Sequence, residues 1–343
     1  MGTILTLSDV QRSKSEKGDE YGAAVVDLVK QECDPASLLS FKTLGTLEIK
    51  HRRTNSIPAV GFRQGRGTSF GSVSGITHDQ VTDAVYSLGA QIEMDKADIR
   101  DREAGDLLGQ RTKQAVRGLS WTFKDYFING DHATDPHGFE GIKVRLANSP
   151  ASQIVYGVSS GAELDVRASA SPSEATLYTF LDKIDEAIDT LDGHDGDAVF
   201  TSADFIATLR SVLRRLGKYT AQPESEPGMF GSNRRRTTSE KTNRPVLVYP
   251  ADKGLKWYDM GYKRDQSTLV VGTDTVGGVA CRPAYFVNFG MDYLHGIQQY
   301  AMEITEPRWL DDQVTQRITI DWPVGLHMVH NKSLSVLKGV RVA

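Results

Sequence analysis

Cysteine is nearly missing from this chain of 343 residues. Cys33 and Cys281 are too few for a disulfide framework or a four-thiolate zinc site, so a reducing compartment is the default, with a single bridge between them left open. Long apolar runs are missing too. None approaches the roughly 20 residues of a membrane span, and the N-terminus lacks the basic start and apolar core of a signal peptide. No membrane partner is expected, and action in a cytoplasm follows. Met1-Gly2-Thr3-Ile4-Leu5-Thr6 fits the loose myristoylation pattern, but no second membrane signal accompanies it. Basic charge is not in excess either. The 40 Lys and Arg against 44 Asp and Glu leave a net charge of -4, which argues against a protein whose main task is neutralising DNA phosphates.

Catalytic and metal signatures are equally sparse. Gly272 to Gly278 is glycine-rich but lacks the G-K-[ST] ending of a phosphate-binding loop, and H-E-x-x-H is absent. His132, Asp135 and His137, and the cluster His194, Asp195 and Asp197, follow no ligand spacing, and turn chemistry explains both. His327 and His330 stand three apart in a strand-like segment, which places them on opposite faces. Gly157-Val158-Ser159-Ser160-Gly161 matches the G-x-S-x-G nucleophile elbow. That elbow needs a helix immediately behind the serine, and Leu164 to Ser173 has no helical periodicity. A serine hydrolase using Ser159 is therefore a minor alternative, and no catalytic, cofactor-binding or metal residue is assigned.

What the chain does contain is a sequence of distinct segments. Residues 1 to about 20 are polar and charged and read as a mobile arm, with Ala23 to Gln31 forming a short helix. Ser56 to Arg63 and Ala84 to Met94 read as two strands around a glycine- and serine-rich tip, Gln64 to Gly75, giving a long hairpin or, equally, a flexible surface loop. Lys96 to Phe127 predicts a long helix through Ala104, Leu108, Ala115, Leu119, Phe123 and Tyr126, with close packing or a bend compensating Gly105, Gly109 and Gly118. Ser171-Pro172-Ser173-Glu174 reads as a capping box before a helix carrying Leu177, Leu181, Ile184, Ile188 and Leu191. A buried strand at Asp197 to Phe200 leads to a third helix, capped by Thr201 or Ser202 and stopped by Gly217. After a loop from Lys218 to Asn243 the chain turns strand-rich: Arg244 to Tyr249, Thr268 to Val271, Ala284 to Phe289, Gln316 to Trp322 and Val324 to His330. Helix, strand and helix followed by strands imply an α+β fold. Arg52, Arg53, Arg63, Arg66 and Phe70 along the hairpin, and Arg234, Arg235 and Arg236 in the long loop, are solvated groups in a monomer and candidate assembly contacts in an oligomer.

The long helix closes on Phe127-Ile128-Asn129-Gly130-Asp131, followed after a short spacer by Asp135-Pro136-His137-Gly138-Phe139-Glu140-Gly141-Ile142. Gly130, Gly138 and Gly141 suggest backbone angles that other residues resist. The order of these motifs, with the ending Asp321 to His330 and Leu334 to Val342, resembles the major capsid protein family of tailed bacteriophages and its HK97-like fold. The turn residues that carry the resemblance are Asn129, Gly130, Asp131, Gly138, Phe139 and Gly141.

That resemblance implies an N-terminal arm (1–45), an extended E-loop hairpin (46–95), a peripheral P domain (96–173 and 296–328) with Lys96 to Phe127 as its spine helix, and an axial A domain (174–295 and 329–343). It implies a subunit that assembles itself through hexamers and pentamers into the icosahedral head of a virion, in the host cytoplasm, with no reaction and no cofactor. The implied partners are a separate scaffold protein, a portal, a decoration protein, and packaged double-stranded DNA held by non-specific contact. Some members of the family join an E-loop lysine covalently to an asparagine. This chain has no lysine between His51 and Asp95, so that cross-link is not supported. An encapsulin-like compartment shell, with the same fold and a cargo enzyme inside, is the alternative.

Overall fold

The computed structural model describes residues 4–54, 78–97, 107–158, 161–217, 247–250, 254–305, 307–310 and 314–342. The chain opens with β1 (Ile4–Leu5), three helices, α1 (Leu7–Glu16), α2 (Glu20–Glu32) and α3 (Asp34–Leu38), and β2 (Phe41–Thr43). A hairpin of β3 (Glu48–Thr54) and β4 (His78–Ala84) follows, then β5 (Tyr86–Asp95) and the long helix α4 (Leu107–Asn129). Next come α5 (Ile142–Ala147), β6 (Ile154–Tyr156), β7 (Leu164–Asp165), α6 (Glu174–Asp189), β8 (Ala198–Thr201) and α7 (Ala203–Arg215). The remainder is strands: β9 (Leu247–Val248), β10 (Lys256–Asp259), β11 (Asp274–Val276), β12 (Val279–Val287), β13 (Leu294–Gln298), β14 (Glu303–Ile304), β15 (Arg308–Trp309), β16 (Thr315–Met328) and β17 (Leu334–Arg341).

These strands form two large sheets and a ribbon. The first sheet runs β1-β2-β13-β16-β14, with β5 and β15 also paired to β16. The second runs β6-β17-β12-β8-β10-β9, with β7 on β17 and β11 on β12, while β3 and β4, among the described residues, pair only with each other. The expected boundary at 173 falls inside the second layer, because β6 and β7 pair in parallel with β17. In that layer the apolar stripes of α6 (Leu177, Leu181, Ile184, Ile188) and α7 (Phe205, Leu209, Val212, Leu213) share one core with Val199 of β8, Trp257 of β10, Phe286 of β12 and Leu337 of β17, and the four residues of β8 are all buried. Gly217, at φ +66°, ends α7 as the sequence predicts.

Several expectations are corrected. The N-terminal segment beyond Thr6 is helical and docked rather than a free arm. The Thr6 side chain and the Asp9 backbone and carboxylate cap α1 reciprocally, and Leu7 and Val10 are buried against the valines of α2. Two apolar side chains suffice because α2 supplies the rest of the contact. The capping residue of α6 is Ser173, whose hydroxyl accepts from the Thr176 N–H; Ser171 lies at φ +46°, which an N-cap does not adopt.

The hairpin is also rearranged. Its return arm is β4, from Thr54 opposite His78 to Glu48 opposite Ala84. Tyr86 to Asp95 runs antiparallel to β16 instead, burying Ile92 and Met94 with Ile318. The strand expected at Ser56 to Arg63 lies outside the described residues. Gln316 to Trp322 and Val324 to His330 are not two strands: β16 continues through Pro323. That residue stands opposite Ser87 on β5, and on its other edge it falls between the pairings of β14 and β13, where no ladder donor is required. Thr268 to Val271 is a loop with one isolated bridge, although Val270 and Val271 are buried.

The described part of the long helix, α4, buries Val116, Leu119, Phe123 and Phe127. Gly118 has open space beside it, so no close packing compensates it. Cys33 and Cys281 are buried free thiols, and no bridge joins them.

Candidate functional site

The turn after α4 joins the two layers. Asn129 donates from its side-chain amide to Asp125 Oδ1 (2.8 Å) and to the Val270 carbonyl (2.7 Å), tying the helix end to a loop of the second layer. The Gly130 N–H donates to the Tyr126 carbonyl at 2.9 Å, and the Gly141 N–H donates to the Gly130 carbonyl at 2.8 Å. Asp131 accepts from the Ala133 N–H and the Thr134 hydroxyl, and the Thr134 bond first, then that of Ala133, holds its carboxyl below the usual carboxylate range. Phe139 is buried against Phe123 and Tyr126.

None of the three motif glycines adopts a positive φ, so the sequence argument from backbone angles is replaced by one from close approach. A Cβ on Gly130 would stand 2.3 Å from the Phe139 carbonyl oxygen, one on Gly141 2.5 Å from the Tyr126 carbonyl oxygen, and one on Gly138 2.1 Å from the Tyr126 ring. The Tyr126 hydroxyl donates to Asp135, and that bond, more than burial, pushes the phenol up to about 12.

A second constellation sits at the base of the hairpin. Asp83 on β4, Arg145 on α5 and His327 on β16 are all buried. Arg145 Nη2 donates to Asp83 Oδ1 at 2.8 Å and to the Leu326 carbonyl at 3.0 Å, and its Nε donates to the Glu140 carbonyl. His327 Nδ1 lies 2.7 Å from Asp83 Oδ2. His51 on β3 meets the His327 ring edge-on at 4.5 Å between centroids, and His295, directly across the sheet on β13, does so at 5.0 Å. Burial raises the Asp83 carboxyl, but the Arg145 charge and the bonds from His327 and Arg145 outweigh it and hold it well below the usual range. Burial, then the neighbouring His327 and Lys42, pushes His295 down to about 4.

Sequence reasoning missed this centre. His330 Nδ1 accepts from the Lys332 N–H, and the partners of His327 come from elsewhere, Asp83 lying 244 residues away. One signal was available in principle. In the register of the ribbon, His51 is opposite Val81, so Asp83, two residues on, shares its face.

The remaining predicted residues separate. Arg52 is exposed on β3 opposite Gln80, and Arg53 follows it opposite Asp79. Arg63, Arg66, Phe70, Arg234, Arg235, Arg236 and Ser159 lie outside the described residues. Behind Ser159 the chain forms the short strand β7 rather than the helix that a nucleophile elbow requires. His132 faces Tyr86 and the Gly138 carbonyl, and Asp135 takes the Tyr126 hydroxyl and the His137 N–H, so this set does not converge on an ion. Among the described residues, no helix is long and apolar enough to cross a membrane.

No protein-family model and no curated protein matches the chain. Solved structures do match over nearly its whole length. The capsid of a native GTA particle superposes with a TM-score of 0.55 at 10% identity, over 87% of this chain and 87% of the other. A structure from Mycobacterium phage Bobi does so with 0.54 at 9% identity, over 92% and 91%. The holo-SrpI encapsulin complex from Synechococcus elongatus PCC 7942 does so with 0.51 at 12% identity, over 89% and 86%. The chain therefore has the HK97-like fold, an α+β architecture found in protein shells.

Proposed function

We propose that this chain is a major capsid protein, one that assembles through hexamers and pentamers into an icosahedral head around phage DNA. The observation that carries the reading is coverage: the likeness to the GTA capsid spans almost the full length of both chains. The ribbon of β3 and β4 supports it. A two-stranded ribbon is marginal alone, this one pairs with no other strand among the described residues, and Arg52 is exposed on it. Such a ribbon gains stability by lying on a neighbouring subunit, and many weak repeated contacts hold a closed shell.

In this reading the ribbon is the E-loop, the first sheet with α4 is the peripheral domain, and the second sheet with α6 and α7 is the axial domain. Arg53, Arg63, Arg66, Phe70 and Arg234 to Arg236 are further candidate contacts between subunits. A scaffold protein, a portal and a decoration protein are the expected partners, DNA is touched without sequence preference, and assembly occurs in the host cytoplasm. Function requires no reaction.

Negative-stain electron microscopy with size-exclusion chromatography of the purified chain tests the proposal. Closed particles or capsomer rings are expected, and a discrete monomer or dimer under all conditions would overturn it. Deleting Arg63 to His78 is expected to leave a soluble, folded chain that no longer closes shells; normal particles would remove the ribbon from assembly.

The encapsulin likeness supports a second reading, a compartment shell around a protein cargo. Particle contents separate the two: nucleic acid favours the capsid, a co-purifying enzyme the compartment. Ester hydrolysis abolished by Ser159→Ala would instead favour a hydrolase.

A further inference from the structure

We propose that His51, Asp83 and His327 form a binding site for a divalent transition-metal ion, with zinc the ion that suits the donors. One ligand atom from each of the three lies within 4.8 Å of the others. Zinc accepts imidazole nitrogen and carboxylate oxygen at about 2.0–2.2 Å, which in tetrahedral geometry sets ligand atoms roughly 3.3 Å apart. Closing from 4.8 Å to that spacing takes side-chain adjustment and no change of strand register. His327 Nδ1 and Asp83 Oδ2 are at 2.7 Å, so an ion there replaces the proton between them after a small opening.

The surroundings are those of a held ligand set. Arg145 fixes the second carboxylate oxygen of Asp83 and is itself anchored on the carbonyls of Glu140 and Leu326. His295 bears edge-on against the His327 ring. Outer groups of this kind orient metal ligands. Asp83 and His327 are buried, and the ring nitrogens of His51 are buried as well although that residue as a whole is half-buried, so the ligand atoms are shielded from bulk water. Arg145 also draws on the Asp83 charge, so binding is weaker than at a closed structural zinc site. The three ligands come from β3, β4 and β16, so a bound ion clips the ribbon to the first sheet. The proposal goes beyond the shell reading and does not depend on it.

The test uses the full chain stripped with a chelator. Zinc is titrated calorimetrically, and cobalt(II) is followed by its visible absorption. One ion per chain is expected, with cobalt bands characteristic of nitrogen and oxygen ligands and a zinc-dependent rise in Tm. His51→Gln, a change at a half-buried position that circular dichroism can show to be folded, is expected to weaken binding at least tenfold, the lower end of what even an orienting outer group contributes. His137→Gln is expected to leave it unchanged. No saturable binding, or equal binding by His51→Gln, would overturn the proposal.

Discussion

The core around α6 and α7 is built from apolar side chains such as Phe180, Ile184, Phe205, Trp257 and Phe286, whereas the first sheet buries Asp83, Arg145, His295 and His327 beside Trp322 and Val324. Apolar burial is non-directional and tolerates exchange of similar volumes. A buried charge needs its partner in place, because losing one side leaves the other without water or counter-charge. The second layer is thus specified by shape. The hairpin base is specified by partnership, and its partners arrive from β4, α5, β13 and β16. One is robust to small errors and the other pins distant strands in register.

The sharpest test of that contrast is Asp83→Ala. It strands Arg145 in the interior and is expected to cost about 3–5 kcal/mol in denaturant unfolding. Ile188→Val in the second layer is expected to cost only about 0.5–1.5 kcal/mol. Equal losses would break the distinction.

Acidification is expected to separate the layers next. The folded His295 titrates near 4 against an ordinary value of 6.5, so the folded state binds fewer protons between those values and the first layer loses stability as pH falls from 6.5 toward 4. The depressed Asp83 adds a further loss only below the ordinary carboxylate range. Asp197, beside β8, is raised by burial despite the bond from the Phe289 N–H, so its contribution has the opposite sign and grows as pH falls. Hydrogen exchange corrected for intrinsic rate is expected to show protection falling in β13 and β16 between pH 7 and 5 relative to β8, and His295→Asn is expected to remove most of that difference.

Substitutions of glycine in α4 and in the turn after it are expected to differ in sign. Gly130→Ala drives a Cβ to 2.3 Å from the Phe139 carbonyl oxygen and is expected to destabilise by about 1–3 kcal/mol. Gly118→Ala, inside α4 with nothing nearby, is expected to stabilise by about 0.5–1 kcal/mol. Thermal melts of both variants check the pair.

Legibility follows the same division. The helix, strand and helix from α6 to α7 could be read in advance because their apolar positions repeat at the helical period and their partners are near in sequence. The N-terminal docking was hidden, since Leu7 and Val10 make sense only against α2. The pairing of β5 with β16 was misread because alternation marks a strand without naming its neighbour. The turn motif was recognised by residue type, but its reason lay in carbonyl oxygens and a tyrosine ring that the sequence cannot place.

The residues by themselves determined the local elements that carry their own period and stops, the scarcity of cysteine, the missing membrane-spanning run, and the ordered set of motifs that resembles a capsid subunit. Tertiary structure alone decided which strands share a sheet, why three glycines sit in the turn, and that His51, Asp83, Arg145, His295 and His327 meet at the hairpin base. The physical reason is range. Propensity and periodicity act over a few residues, whereas sheet register and buried charge pairing are settled by groups as far as 244 residues apart.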